Sequence, residues 1–329
     1  MKNLILFKNS PKLIATATVC GPKESRGNLG AFVDKKISDD YNDEKTFELA
    51  ERKMLSYVVK KAIEKGGLKS QDINAYIGGD LLNQIISSSF CAREFNFPFL
   101  GVYSACSTMV ESMIVASCMV DAGYMKNVVC ATGSHFSTAE RQYRYPLEQG
   151  TTRPAQSQWT VTGAGANLIS LNGSGVCLKS AMFGKVVDYG VSDTNNMGAA
   201  MAPAAADTLL NFFEESKKSP SDYDLILTGD LGALGSRLLK MLMNKTNYSI
   251  DKNHIDCGEM IYNLEEKEFQ GGSGAGCSAV VFNSYVYKMM LLKKYRSVLF
   301  LTTGALLSTT SSQQGETVPG IAHLIELAI

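Results

Sequence analysis

Short apolar runs alternate along this chain with longer stretches in which apolar positions recur every three or four residues. The first kind reads as strands buried on both faces, the second as helices. Phe99 to Tyr103 is one apolar run and is expected to be a buried strand. After it, Met109, Val110, Met113, Ile114 and Ser117 keep helical spacing. Ala164 to Leu171 reads as a strand, Asn172-Gly-Ser-Gly175 as a turn and Val176 onward as its hairpin partner. A helix pair is expected around Met197 to Phe213. Strands that alternate with helices in this way belong to parallel sheets covered by helices.

Several of these units occur twice. Asp72-Ile-Asn-Ala-Tyr-Ile-Gly-Gly-Asp80 resembles Asp222-Tyr-Asp-Leu-Ile-Leu-Thr-Gly-Asp230, and Lys126-Asn-Val-Val-Cys-Ala-Thr-Gly133 resembles Arg296-Ser-Val-Leu-Phe-Leu-Thr-Thr-Gly304. Ser104-Ala-Cys106-Ser has its counterpart in Gly274-Ala-Gly-Cys-Ser278. The offsets, about 150 and 170 residues, are those of a duplicated βαβ unit. Two such halves, 1–185 and 186–329, placed back to back make a five-layer αβαβα sandwich. Residues 134–162 form a polar segment with Arg141, Arg144, Arg153, two prolines and the single tryptophan. It is too long for a plain connection and is expected to serve a site or an interface.

Composition narrows the function by exclusion. Thirty-two basic residues balance thirty-two acidic ones, so no global field directs the chain to nucleic acid or to an anionic surface. Any anion site must be local. The eight cysteines form no C-x-x-C pair and no regular spacing, so neither a zinc ribbon nor a disulfide framework is indicated and reduced thiols in the cytoplasm fit best. The apolar run near Met1 is too short for a signal peptide, and no uncharged apolar stretch reaches membrane-spanning length.

Cys106 carries the chemistry. It lies between the Phe99–Tyr103 run and a helical stretch, with small residues Ser104 and Ala105 in the turn. A cysteine at a helix N-terminus meets free backbone N–H groups and the positive end of the helix dipole. Both stabilise a thiolate or a bound anion. The position is therefore either a nucleophile or the floor of an anion pocket. The Gly271–Gly276 run lacks the spacing of a dinucleotide fingerprint. Asp80 and Asp230 read as helix caps.

The Cys106 turn, the Asp121-Ala-Gly123 helix end, Trp159-Thr-Val-Thr-Gly-Ala-Gly-Ala166 and Gly271-Gly-Ser-Gly-Ala-Gly-Cys-Ser278 together resemble the thiolase-like superfamily, which includes thiolases and 3-oxoacyl carrier-protein synthases. Ala131-Thr-Gly-Ser-His135, Thr138 to Pro146, Arg153-Pro154, Met197 to Pro203, Leu227 to Gly232 and Pro319 to His323 look like one branch, the stage V sporulation protein AD family. The resemblance implies a thiolase-like fold and a homodimer. It also implies a spore-forming source and a role in dipicolinic acid uptake during sporulation and release during germination. By the same resemblance the protein works at the periphery of the spore inner membrane with membrane-embedded stage V sporulation proteins, and any calcium arrives with the dipicolinate. Neither a cofactor nor a resident metal is implied.

The condensing enzymes place a histidine after the first strand of the second half and an asparagine or second histidine at the glycine-rich turn. Here those places hold Thr228-Gly-Asp230 and glycine with serine. Of the three histidines, His254 lies in a polar stretch, while His135 and His323 stand elsewhere in the pattern. The expectation is a non-catalytic pocket. The alternative is an acyltransferase or condensing enzyme with Cys106 as nucleophile and His135 or His323 as its base. Dipicolinate, a flat ring with two carboxylates, needs donors or cations and an apolar slot. The candidates are Cys106, Ser107, Ser134, His135, Arg144, Arg153 and His323, with Arg141 as a further cation and Met197–Pro203 as a slot wall.

Overall fold

The computed structural model of the chain describes residues 3–143, 152–263 and 270–329. In order it runs β1 (Leu4–Leu6), β2 (Lys12–Cys20), α1 (Pro22–Arg26), β3 (Lys35–Lys36), α2 (Phe47–Lys65), β4 (Ala75–Gly79), α3 (Ile86–Phe95) and β5 (Phe99–Gly101). There follow α4 (Thr108–Asp121), β6 (Asn127–Ser134), α5 (Phe136–Tyr143), β7 (Trp159–Thr160), β8 (Gly163–Ser170) and β9 (Val176–Met182). The chain continues with α6 (Met197–Ser216), β10 (Leu225–Thr228), α7 (Gly232–Met243), β11 (His254–Asp256), α8 (Cys257–Ile261) and β12 (Gly272–Ser273). It ends with α9 (Ala275–Val281), α10 (Tyr287–Leu291), β13 (Ser297–Ala305), α11 (Thr309–Gln313) and β14 (Gly320–Ala328).

Two sets of five strands repeat one order, β5-β4-β6-β8-β2 and β11-β10-β13-β14-β9. In each, the first three neighbours are parallel and the remaining pairs antiparallel. The sets meet where Lys12 and Leu13 of β2 pair with Cys177 and Val176 of β9. The duplication reaches side-chain detail. Asp72 accepts a hydrogen bond from the Lys69 amide (2.8 Å), and Asp222 accepts one from that of Ser219 (2.7 Å). Two residues on, Asn74 receives the amides of Lys126 and Asn127, and Asp224 those of Arg296 and Ser297. In both halves one polar side chain thus ties the start of a strand to the start of its parallel neighbour.

The layers follow from which faces are apolar. α4 packs against β4, β6 and β8 on one side and β13 and β14 on the other, while α9, wholly buried, covers β6 and β8. Buried on both sides, α4 is apolar almost all round and carries only a weak polar stripe. α2 and α3 cover the outer face of the first strand set, and α6 and α7 that of the second. Phe282, just after α9, stacks on Phe300 of β13 at 4.4 Å and 9°, both fully buried. Phe300→Ala should cost on the order of 3–5 kcal/mol in urea unfolding. A loss below about 1 kcal/mol would contradict this packing.

Three local expectations are corrected. Phe99–Gly101 is an edge strand, not a buried one: among the described residues it pairs only with β4, and Leu100 is 43% exposed. β8 and β9 do not form a hairpin, because β2 inserts between them and pairs with both. Met197–Ser216 is a single helix with Pro203 inside it, not a helix pair.

Candidate functional site

Cys106 occupies a tight turn (Ala105–Ser107) that leads into α4. Ala105 holds a left-handed φ of +52°, an unfavourable conformation for a residue with a Cβ, so neighbouring structure fixes the turn. The anchor is β13. Ser107 Oγ donates to the Thr302 carbonyl (2.7 Å), and Thr302 Oγ1 donates back to the Ser107 carbonyl (3.0 Å).

Across from the thiol stands Asp230. Its carboxylate accepts from Thr303 Oγ1 (2.9 Å), the Gly274 amide (3.1 Å) and Ser273 Oγ (3.3 Å). The Cys106 thiol also hydrogen-bonds it. Asp230 is fully buried, and burial lifts its carboxyl to about 6. Burial first, and then the neighbouring carboxylate, push the thiol well above its ordinary value. A thiolate stabilised by the helix N-terminus is thus not what the structure holds: the group facing Cys106 is an acceptor of negative sign.

Asp230 is not the cap it was expected to be. Asp256 takes that place, accepting from Thr228 Oγ1 (2.6 Å) and from the amides of Leu231, Gly232 and Gly258 (2.9 Å each). With the turn secured from β11, Asp230 is free to point at Cys106. Asp80, by contrast, does serve a helix start: it accepts the Ser88 amide in the first turn of α3, and the Leu82 amide in the turn before it.

Burial also raises the carboxyl of Glu24 to about 7, although Tyr262 and the Thr162 amide donate to it. A carboxyl whose folded value is raised stabilises the fold below its unfolded value, and that contribution is lost as pH climbs through the folded value. For Glu24 the loss spans roughly pH 4.5 to 7. Glu24→Gln should therefore gain stability relative to the parent between pH 5 and pH 8, by an amount on the order of 2–3 kcal/mol. A pH-independent difference in urea midpoints would refute this. Comparing each variant with the parent cancels the opposing contribution of the buried histidines.

A small pocket lies over Cys106, about 450 Å³ when the open solvent at its mouth is included. Its walls are mostly apolar, from Leu81, Ala105, Ala139, Met197, Ala305 and Leu307, with Tyr103, Tyr143, Glu140, Thr160 and Ser273 as the polar side chains besides Cys106. No lysine or arginine lines it among the described residues.

Of the sequence candidates among the described residues, the structure brings only Cys106 and Met197 to the chamber. Ser107 is committed to Thr302. Ser134 supports the glycine-rich turn, accepting the Gly276 amide (3.0 Å) and donating to the Val161 carbonyl (2.7 Å). His135 is buried, with Nε2 on the Asp40 carbonyl and Nδ1 accepting the Ser137 amide. His323 lies on β14, accepts the Gly184 amide and meets the edge of Phe183. His254 belongs to buried β11, not to a polar loop, and bonds Thr228 Oγ1. Burial holds all three imidazoles below their usual value. Arg153 pairs with Glu140 (2.6 Å) and lies over Phe136 and Trp159, just behind the chamber wall. Arg141 pairs with Glu48 on the surface, and Arg144 lies outside the described residues. Sequence reasoning did not single out Tyr103, Tyr143, Glu140 or Thr160, and it misread Asp230. Among the described residues no three acidic, histidine or cysteine side chains are grouped to hold a metal.

Comparison with known proteins sets this site in a family. The family model described as Stage V sporulation protein AD (SpoVAD) matches residues 1–328. The Stage V sporulation protein AD of Bacillus subtilis (strain 168) is 43% identical over 322 residues, which is 98% of this chain and 95% of that protein. The chain belongs to the stage V sporulation protein AD family. As a SpoVAD family member it is a sporulation protein, and its fold is thiolase-like. The 3-oxoacyl-[acyl-carrier-protein] synthase III of Aquifex aeolicus VF5 superposes with a TM-score of 0.61 at 12% identity, over 97% of this chain and all of that one. Cerulenin-bound OleA of Xanthomonas campestris gives 0.62 at 12%, over 98% of each chain. At this distance the likeness speaks for the fold alone. No helix among the described residues is long and apolar enough to cross a membrane.

Proposed function

We propose that this SpoVAD family member is a non-catalytic binding protein for dipicolinic acid or its calcium complex, and that the chamber over Cys106 is its pocket. It would serve dipicolinate uptake during sporulation and release during germination. The observation that carries the reading is Asp230 against Cys106. Condensation needs a thiolate and donors for a developing oxyanion. Here burial and the Asp230 carboxylate raise the thiol further than the Gly274 amide and the Ser273 hydroxyl lower it, and those two donors and Thr303 also serve Asp230. No imidazole lines the chamber among the described residues. What remains is a mostly apolar pocket with Tyr103 and Tyr143 in its wall, a lining suited to an aromatic ring. With Glu140 and Asp230 nearby and no lysine or arginine among the described lining residues, the slot suits the charge-cancelled calcium complex better than a bare dianion.

The protein would act at the periphery of the spore inner membrane beside membrane-embedded stage V proteins, as a homodimer. The open edge of β5, with Leu100 and Tyr103 exposed, is where a second copy could add. Incubation of the purified protein with acyl-CoA, followed by intact-mass measurement, tests the non-catalytic half of the reading. No adduct on Cys106 is expected. A stoichiometric, hydroxylamine-labile acyl adduct there would restore the acyltransferase.

A further inference from the structure

The internal duplication supplies its own control for one surface corner. In each half a helix ends and the chain turns back into an inner strand, α4 into β6 and α10 into β13. The two corners share their backbone bonds. The Gly123 and Tyr124 amides donate to the Val120 and Met119 carbonyls, and the Lys293 and Lys294 amides to the Met290 and Met289 carbonyls. One backbone turn is thus made by two sequences, Asp121-Ala-Gly-Tyr-Met-Lys126 and Leu291-Leu-Lys-Lys-Tyr-Arg296.

The second sequence is not the one that folding alone favours. Gly123 holds a φ of +76°, which glycine adopts freely, while its counterpart Lys293 holds +58° with a Cβ to place. The first corner has Asp121, which accepts the amides of Lys8 and Asn9, and then Ala122. The second has Leu291 and Leu292 in their places, 46% and 65% exposed. Lys293, Lys294 and Arg296 are exposed beside them, and among the described residues none of the three is in an ion pair. Asp224 reaches this corner, where it accepts the amides of Arg296 and Ser297. The chain carries no net charge, so attraction to an anionic surface has to be local, as it is here. Exposed leucines beside unpaired cations complement a partner that is apolar within and anionic at its surface. A corner of this size is too small for a stable protein interface, which takes about 20–30 residues a side. A bilayer needs only a tip to enter.

We infer that the Leu291–Arg296 corner docks on an anionic lipid bilayer, with the leucines at the acyl boundary and the cations among the headgroups. This names a surface for the peripheral placement proposed above, on which it rests. It does not compete with the second copy: β13 is flanked by β10 and β14, whereas β5 ends the other strand set. The corner closes the helical run that begins at Ala275, next to Ser273 and Gly274 of the chamber. At 1.5 Å per residue the two ends of that run are roughly 25 Å apart. Lipid docking and ligand binding are therefore separable.

Flotation of the full chain with vesicles of phosphatidylglycerol and phosphatidylcholine, against phosphatidylcholine alone, tests the corner. The parent should float with the anionic vesicles only, and less as salt rises. Each basic side chain at such a surface adds about five-fold in affinity, so Lys293→Glu with Lys294→Glu should weaken binding at least about ten-fold. Leu291→Ser with Leu292→Ser should weaken it at least about ten-fold as well. Tyr124→Ser with Lys126→Glu, at the equivalent corner of the first half, should leave it unchanged. All three variants should keep the parent's thermal midpoint. The corner is refuted if the parent floats with neither vesicle, if either pair can be replaced without loss, or if the first-half variant loses as much. A change of oligomeric state in the leucine variant would refute it too, by assigning the corner to a second copy. A parent that binds dipicolinate in calorimetry yet does not float would sink the corner alone. One that floats without binding dipicolinate would sink the ligand assignment and keep the corner.

Discussion

Replacing Asp230 by asparagine should make the Cys106 thiol at least about ten-fold more reactive towards a small alkylating reagent near pH 8. The buried carboxylate raises the free energy of the thiolate, first by repulsion and then by accepting the thiol's hydrogen bond. Asparagine keeps the size and the acceptor towards Thr303 but removes the charge. While the thiol still titrates above the working pH, every 1.4 kcal/mol returned to the thiolate multiplies its population by ten. The gain should appear at Cys106 and not at Cys130, which has no such neighbour. An unchanged rate would mean that burial alone keeps the thiol neutral, and the main argument against catalysis would weaken. The variant should still not condense acyl groups, since no imidazole enters the chamber with it.

Gly304→Val should be the most damaging single substitution at the site. A Cβ on Gly304 would stand 2.2 Å from the Ser104 carbonyl oxygen, and backbone cannot turn aside as a side chain can. β13 approaches the Cys106 turn this closely so that Thr302, two residues earlier, can exchange hydrogen bonds with Ser107. Forcing the two segments apart breaks those bonds and unseats a turn already strained at Ala105. A loss of about 3 kcal/mol or more is expected, with failure to fold as the upper end. Gly304→Ala should be milder but still cost more than about 1 kcal/mol. A thermal midpoint within about 2 °C of the parent for Gly304→Val would contradict the close approach.

Much of the fold was legible because it is written twice. Asp72 and Asp222 open equivalent strands, and the two glycine-ended strands after them repeat both spacing and apolar content, so the duplication and the layered α/β architecture follow from local pattern. The Cys106 turn was legible for the same reason: a short strand, small residues and a helical stretch are adjacent in sequence. What failed depended on distant chain. Asp230 has the sequence context of a helix cap, and only the arrival of Asp256 from β11 relieves it of that task. His135 looks available until the Asp40 carbonyl, 95 residues away, takes its Nε2. Asn172–Gly175 carries the turn chemistry of a hairpin, yet β2 separates the strands it joins. In each case local propensity was satisfied and a long-range partner decided the outcome.

The central claim is that the chamber over Cys106 binds dipicolinate and does no chemistry on it. Titration calorimetry of the full chain with dipicolinate, with and without calcium, tests it most directly, on the parent, Cys106→Ala and the chamber-filling Ala139→Phe. The account predicts saturable binding by the parent that weakens in Cys106→Ala and falls at least about ten-fold in Ala139→Phe, while the thermal midpoint is retained. Absence of binding by the parent under both conditions, or binding untouched by both substitutions, would contradict it.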